Sequence, residues 1–434
     1  MLRSENPFIR EDNGWVDHTF AVQGKVSAVR YEEEGNMVGA LDGIKVLDFT
    51  HVYSGPFCTL LLRDLGAEII KVERTAGGDP IRTDAPRTEG MEGGTFIILN
   101  RGKKSITLNL ASAKGLQIAR DLVTKVDILV ENFSPGVMER LGLGYQTLKA
   151  IKPDIIMLSS SAVGGTGPER LYTGYAPTFA AMGGLAYVTG RPDGHPAPLM
   201  GVIDLRVGST SAFAALAALY YRRRTGKGQF IDLSSAEAVS ALMGDAFMDY
   251  TMNGRVQGRM GNRDKIMAPH GCYRCQEENE WVSIAVGSEE EWRSLCRVLA
   301  DSRLTEEKGF SDSYSRWQNQ DELDKIISEW TSIRTQNEIM RSLQDAGVAA
   351  MPVYSGSSLV EDAQLQARGT LVEVEHPAMG KKKVVGPTWR FPKTPTDIKR
   401  HGPLIGQDNE YVLGSLLGMP KEEIARLVEE QVVY

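Results

Sequence analysis

Cys272 and Cys275 enclose Tyr273 and Arg274, a spacing that can serve zinc ligation or thiol–disulfide exchange. Zinc needs four ligands, and the remaining cysteines, Cys58 and Cys296, stand alone and far off. A redox pair opens a helix after a strand, whereas His270–Gln276 reads as extended chain, so this pair is read as structural. His18, His51, His195, His270, His376 and His401 show no helical metal-ligand spacing, and no metal is expected. A Gly-x-Ser-x-Gly elbow, a Gly-Lys-Ser or Gly-Lys-Thr P-loop and a Gly-x-Gly-x-x-Gly turn after the first strand are all missing. With them go the usual signatures of a hydrolase, an ATP site and a nicotinamide or flavin site.

Asp204 lies in Gly201-Val202-Ile203-Asp204-Leu205-Arg206-Val207-Gly208, and an Ala-rich helix is expected just downstream, near Ser209–Arg224. A helix N-terminus stabilises a carboxylate and any anion made from it. Asp204 therefore reads either as a helix cap, the more ordinary role, or as a site residue. Glycines gather in loops at Gly77-Gly78, Gly93-Gly94, Gly164-Gly165-x-Gly167-Pro168 and Gly183-Gly184. Gly164 to Pro168 follows a strand, so it is either a tight turn or a place where backbone approaches a ligand. The turn Thr50–Pro56 and the strand ends Val72-Glu73-Arg74 and Glu131-Asn132-Phe133 lie where open α/β sheets take phosphates or adenosine.

The elements that must position these residues follow from hydrophobic patterning. Gly43–Thr50 reads as a buried strand, Ser54-Gly55-Pro56 opens a helix that Gly66 ends, and Ala67–Glu73 is a second strand. Such a βαβ unit crosses right-handed between parallel strands. The alternation continues with strand Ser105–Asn109, helix Ala113–Lys125, strand Val126–Asn132, helix Tyr145–Lys152, strand Ile155–Ser160, the Ala-rich helix and strand Gln229–Leu233. This is an α/β fold, a Rossmann-like doubly wound sheet. Beyond about residue 255, strand Trp281–Val286 and charged helices over Glu289–Asp301 and Gln320–Ala346 predict an inserted small α+β domain. The expected organisation is an extension over 1–40, a large Rossmann-like domain over 41–240, the small domain over 262–355, and a segment 356–434 returning to the large domain.

The chain has 434 residues, with 49 Lys plus Arg against 56 Asp plus Glu, a formal net charge of −7. That balance excludes a nucleic-acid binder held by general phosphate attraction. Four cysteines exclude a disulfide scaffold and fit a reduced, cytoplasmic setting. The polar N-terminus does not read as a secretory signal, and no stretch reaches the roughly 18 apolar residues of a membrane span, so no membrane partner is expected.

Several ordered motifs resemble the family III CoA-transferases, the CaiB–BaiF group that includes formyl-CoA transferase and carnitine CoA-transferase. They are Leu47-Asp48-Phe49-Thr50-His51-Val52, Ser54-Gly55-Pro56, Leu65-Gly66-Ala67 and Ile70-Lys71-Val72-Glu73-Arg74. Further on come Leu99-Asn100-Arg101-Gly102-Lys103-Lys104-Ser105-Ile106, Asp127 to Phe133, Arg140-Leu141-Gly142, Arg224 to Gln229 and Pro403-Leu404-Ile405-Gly406.

The resemblance implies that Asp204, between Gly201 and Gly208, is the nucleophile. It implies transfer of CoA from an acyl-CoA donor to a carboxylic acid through an aspartyl mixed anhydride and an aspartyl-CoA thioester. Coenzyme A is then a co-substrate, and no other cofactor is needed. Matching positions assign CoA contacts to Val52, Tyr53, Ser54, Arg74, Asn132, Phe133, Arg140 and Leu141, and place Tyr175 and Arg206 as substrate-site candidates. Gly258 to Gly261 is a candidate for backbone stabilisation of negative charge. Arg206 pairs with a second carboxylate or serves as a structural arginine. The family's racemases carry a histidine where this chain has Tyr175, which disfavours racemisation. Ala176 replaces an acidic residue common in the transferases, which keeps open a non-catalytic subunit. The family fold implies an interlocked dimer, as a homodimer or with a related subunit.

Overall fold

The computed structural model describes residues 39–83, 93–197, 199–394, 398 and 400–434. The expected extension lies outside them except for Gly39 and Ala40. Six parallel strands form the main sheet: β1 (Lys45–Asp48), β2 (Glu68–Glu73), β3 (Lys104–Thr107), β4 (Ile128–Glu131), β5 (Ile156–Ser161) and β6 (Phe230–Ser234). Their order is β3-β2-β1-β4-β5-β6. Chain order reverses between β1 and β4, where Leu47 stands opposite Ile70 on one side and Leu129 on the other. The crevice outside the carboxyl ends of these two strands is the natural ligand position of such a sheet.

Alternate residues of each strand feed two separate cores, which is why the strands read as unbroken apolar runs. Leu47, Ile70, Val72, Leu129 and Met157 face one core. Val46, Ile69, Ile128, Ile156 and Leu158 face the other. The α-helices of this part of the chain, in order, are α1 (Ser54–Asp64), α2 (Gly94–Asn100), α3 (Ala113–Val123), α4 (Val137–Arg140), α5 (Tyr145–Ile151), α6 (Ala176–Met182), α7 (Leu185–Val188), α8 (Val202–Thr225), α9 (Ser235–Ser240) and α10 (Gly244–Asn253). The C-terminal segment closes the first core with Val412, Leu413, Leu427, Val432 and Val433. It is stitched to β3, where the Ser105 N–H donates to the Asp408 carboxylate at 2.8 Å and the Tyr434 N–H to Thr107 Oγ1 at 2.7 Å.

Helix α8 departs from expectation. It starts at Val202 rather than near Ser209, so Asp204 sits inside its first turn. Gly201, at φ 82°, begins the helix without a side-chain cap, and Asp204 is not a cap. With 24 residues the helix is long and apolar enough to cross a bilayer by composition. Its Ile203, Val207, Ala212, Ala215 and Ala218 are buried within the protein. Gly208 explains its close seat on α1: a Cβ there would lie 2.6 Å from the Ser54 carbonyl oxygen. Only glycine permits that approach, and it draws Asp204, one turn earlier, toward the start of α1.

A second, antiparallel sheet joins β7 (His270–Arg274), β8 (Trp281–Ala285) and β9 (Ala349–Pro352). It packs with helix Glu289–Leu299 around Val282, Ile284, Leu295, Leu323 and Leu343. The single helix expected over Gln320–Ala346 is two helices, Gln320–Thr331 and Gln336–Asp345. Thr335 and Glu338 form a capping box that starts the second. A hairpin of β10 (Leu371–His376) and β11 (Gly380–Val385) precedes the C-terminal segment.

Candidate active site

The turn after β1 is held from beneath by buried charges. Lys71, in β2, ion-pairs with Asp79 at 2.9 Å and donates to the Thr50 carbonyl at 2.7 Å, both side chains being fully buried. Asp79 Oδ1 accepts from the backbone N–H of Val52 at 3.1 Å and of Ile81 at 3.2 Å. Val52 lies at φ 67°, where a β-branched residue is strained, so this contact helps fix an unfavourable backbone. Beside it, Asp48 accepts from Thr50 and Thr59 and pairs with buried Lys103 at 3.2 Å. Lys103 and Lys71 hold the Asp48 carboxyl below the usual carboxylate range against the cost of burial. Just after β4, the Asn132 amide clamps His51, accepting from its N–H at 2.8 Å and donating to its carbonyl at 2.9 Å.

Above this turn opens a cavity of about 820 Å³. Val52, Tyr53, Ser54, Asn132, Phe133, Tyr175 and Asp204 all line it, so most of the assigned residues converge. Asp204 is half-buried, and burial pushes its carboxyl up to about 6. It is therefore still mostly ionised at neutral pH, but poorly solvated. The N–H groups of Val202, Ile203 and Asp204 belong to the helix turn whose donors lack intrahelical acceptors, which favours negative charge there.

The other assigned residues lie elsewhere. Arg74 lines a neighbouring cavity of about 420 Å³ with Val72, Leu108 and Ala111, and donates to the Gly78 carbonyl at 3.1 Å. His51 and Phe133 border both cavities, their rings meeting edge-on with centroids 5.3 Å apart. Arg140 is exposed at the end of α4, and Leu141 packs against the first core; neither lines these cavities. Arg206 is exposed, and its Nε donates to the Ala238 carbonyl at 3.5 Å. Two residues along a helix are roughly 200° apart, so Arg206 faces away from the side that Asp204 presents to the cavity. The Gly164–Pro168 loop lines a separate pocket of about 430 Å³, where the Gly165 N–H donates to the Asp232 carboxylate at 2.8 Å. Gly258 and Gly261 do not line the Asp204 cavity; the Gly261 N–H donates to the Gly190 carbonyl at 2.9 Å.

Three features escaped sequence reasoning. His51 lines the cavity; burial and then the Lys71 charge push its conjugate acid down to about 4, so the ring is neutral at pH 7. Ser160 and Ser161, at the carboxyl end of β5, also line it. Lys71 and Lys103 are wholly buried, a role that charged residues inside strand-like runs can hint at but not assign. Among the described residues no group of three or more His, Cys, Asp or Glu side chains is placed to hold a metal. Cys272 is exposed in β7, and Cys275, just past the strand's end, is buried, with its thiol pushed up to about 11 by burial.

A family model described as CoA-transferase family III matches residues 41–409. The chain is 33% identical over 394 residues to the succinyl-CoA–D-citramalate CoA-transferase of Chloroflexus aurantiacus, spanning 91% of this chain and 98% of that protein. It is 32% identical over 405 residues to the human succinyl-CoA:glutarate CoA-transferase, spanning 93% of this chain and 92% of that one. Among solved structures, a CaiB/BaiF family protein from Brucella suis superposes at a TM-score of 0.80 with 30% identity, over 87% of this chain and all of that one, 100%. Rv3272 from Mycobacterium tuberculosis superposes at 0.74 with 28% identity, over 86% and 99% of the two chains. The chain is a CoA-transferase of family III.

Proposed function

We propose that Asp204 carries the transfer as a covalent nucleophile. The observation that supports this most is its carboxylate in the first turn of α8, opening on the same cavity as the turn after β1. The carboxylate attacks the donor thioester carbonyl; the carbon–sulfur bond breaks, giving a mixed anhydride and CoA thiolate. The thiolate attacks the aspartyl carbonyl and expels the donor acid, leaving an aspartyl-CoA thioester. The acceptor carboxylate attacks that thioester and releases the thiolate again. The thiolate then attacks the acceptor's carbonyl in the new anhydride, which frees Asp204 and yields the new acyl-CoA. Negative charge developing on the aspartyl oxygen is met by the free N–H groups of the helix turn.

Relatives named for succinyl-CoA with citramalate and with glutarate support succinyl-CoA as donor and a dicarboxylic acid as acceptor. A racemase reading needs a second proton-exchanging group. His51 is the histidine on the cavity wall, and an imidazolium titrating near 4 is a poor acid–base partner at neutral pH. The interlocked dimer is supported by exposed apolar side chains: α10 buries none of its residues, and Phe247, Met248, Tyr250 and Met252 stand more than half exposed at 56%, 55%, 60% and 72%. The mass of the assembly in solution checks this.

The experiment for Asp204 mixes the pure protein with succinyl-CoA and hydroxylamine and maps peptides by mass. A hydroxamate on the peptide containing Asp204 is expected. An unmodified peptide with CoA still bound would overturn catalysis by this chain and favour a scaffold subunit; named alpha and beta subunits for L-malate transfer exist among the relatives.

A further inference from the structure

The wall of the Asp204 cavity carries no lysine or arginine among its described residues. A dicarboxylic acyl group, one end bound to CoA, would have to rest its second carboxylate on neutral donors. Two candidates stand out. Ser160 and Ser161 are each only 5% exposed, and their hydroxyl oxygens have no hydrogen-bond partner among the described residues. The neighbouring Ser159, by contrast, is engaged by the Glu131 carboxyl. A buried hydroxyl left unpaired is costly, so native proteins keep few of them, and those at a ligand wall are candidates for meeting the ligand. Both lie at the carboxyl end of β5, the edge of the sheet that receives ligands, but on opposite faces: Ser160 continues the row of Ile156 and Leu158, which α8 covers, and Ser161 the row of Met157. Each hydroxyl has one proton to donate, and a turn about χ1 redirects it.

We propose that the Ser160 hydroxyl, on the face of β5 that α8 and Asp204 share, receives the distal carboxylate of the acyl group and sets a preference for dicarboxylic over monocarboxylic acyl chains. The assignment rests on the Asp204 reading above. Hydrogen bonds to a charged group are the stronger kind, so losing this one should be felt at the level of specificity. An alkyl chain ending in a methyl group gains nothing from it.

The test compares succinyl-CoA with butyryl-CoA, which has the same number of acyl carbons but ends in a methyl group. The full-length wild type, Ser160→Ala, Ser161→Ala and the double variant are assayed for hydroxamate formation on the Asp204 peptide and for kcat/KM with each thioester. Ser160→Ala and the double variant should lose about 10- to 100-fold in kcat/KM for succinyl-CoA and change less than about twofold for butyryl-CoA, while Ser161→Ala keeps the wild-type ratio. The melting temperature of Ser160→Ala should hold or rise, because an unpaired polar atom has been removed from the interior. Equal losses on both thioesters, an unchanged ratio in Ser160→Ala, or a large fall in its melting temperature would each overturn the assignment. Wild type that labels Asp204 while Ser160→Ala keeps its selectivity sinks the Ser160 assignment alone. Wild type that labels with neither thioester sinks the Asp204 reading and the Ser160 assignment with it.

Discussion

Asp79→Asn tests whether the ion pair beneath the β1 turn holds the cavity-facing backbone in place. The substitution keeps an oxygen able to accept from the Val52 and Ile81 N–H groups, now 3.1 Å and 3.2 Å away, but removes the charge that Lys71 meets at 2.9 Å. Lys71 is fully buried, and leaving such a charge without its partner costs about 3–5 kcal/mol. The neighbouring Asp48 carboxylate still attracts it, which places the loss near the lower end, about 3 kcal/mol. At about 2 °C per kcal/mol for a chain of this size, melting should fall by roughly 6 °C. The double variant Lys71→Met/Asp79→Asn removes both charges while keeping the lysine's volume. It strands the Thr50 carbonyl, which Lys71 meets at 2.7 Å, and leaves Asp48 with Lys103 as its nearby cation, yet with no unpaired buried lysine it should still be more stable than Asp79→Asn. Thermal melting of the three proteins, with KM for acyl-CoA measured alongside, decides the matter. The single variant should raise KM because strained Val52 is less firmly held. A double variant no more stable than Asp79→Asn would refute the reasoning, since the penalty would then not come from an unpaired charge.

The Asp204 carboxyl, pushed up to about 6 by burial, sets a pH limb: only the ionised form attacks, so kcat/KM should be flat above pH 7 and fall about tenfold by pH 5. His51, near 4, adds no limb in that window, and a rate that rises toward acid pH would contradict an anionic nucleophile. Gly208→Ala places a Cβ 2.6 Å from the Ser54 carbonyl and 2.9 Å from the Phe57 ring, so α8 must back away from α1. A loss of about 1–3 kcal/mol in denaturation and slower labelling of Asp204 are expected; unchanged labelling would show that the helix approach does not position the nucleophile.

The parallel sheet was legible because β1 and β4 are covered on both faces, and continuous apolar runs such as Ile128-Leu129-Val130 have few other uses. Asp204 and the β1 turn were singled out through family motifs rather than through patterning, since a carboxylate before an Ala-rich run is more often a cap. The start of α8 was not legible: Gly201 begins the helix through a positive φ, which leaves no Ser, Thr, Asp or Asn at the cap to mark it. That shift of about seven residues decides the fate of Arg206. In an extended approach to a helix it can face the same side as Asp204; two positions along a helix it cannot.

Burial divides the charged residues of the family motifs into two groups, and the division bears on chemistry. Lys71, Glu73, Arg82, Lys103 and Asp48 are buried in paired networks under the turn, where their charges satisfy one another. The cavity wall above them is almost neutral: hydroxyls, amides, aromatic rings, an uncharged imidazole and one carboxylate. An anion in such a wall is poorly solvated and unpaired, which is what raises the Asp204 carboxyl toward 6. A fixed cation beside Asp204 would instead hold its pKa low and blunt its attack on a thioester. Among the described residues no cation thus lines the Asp204 cavity, and a second substrate carboxylate held there would meet neutral donors such as Ser160.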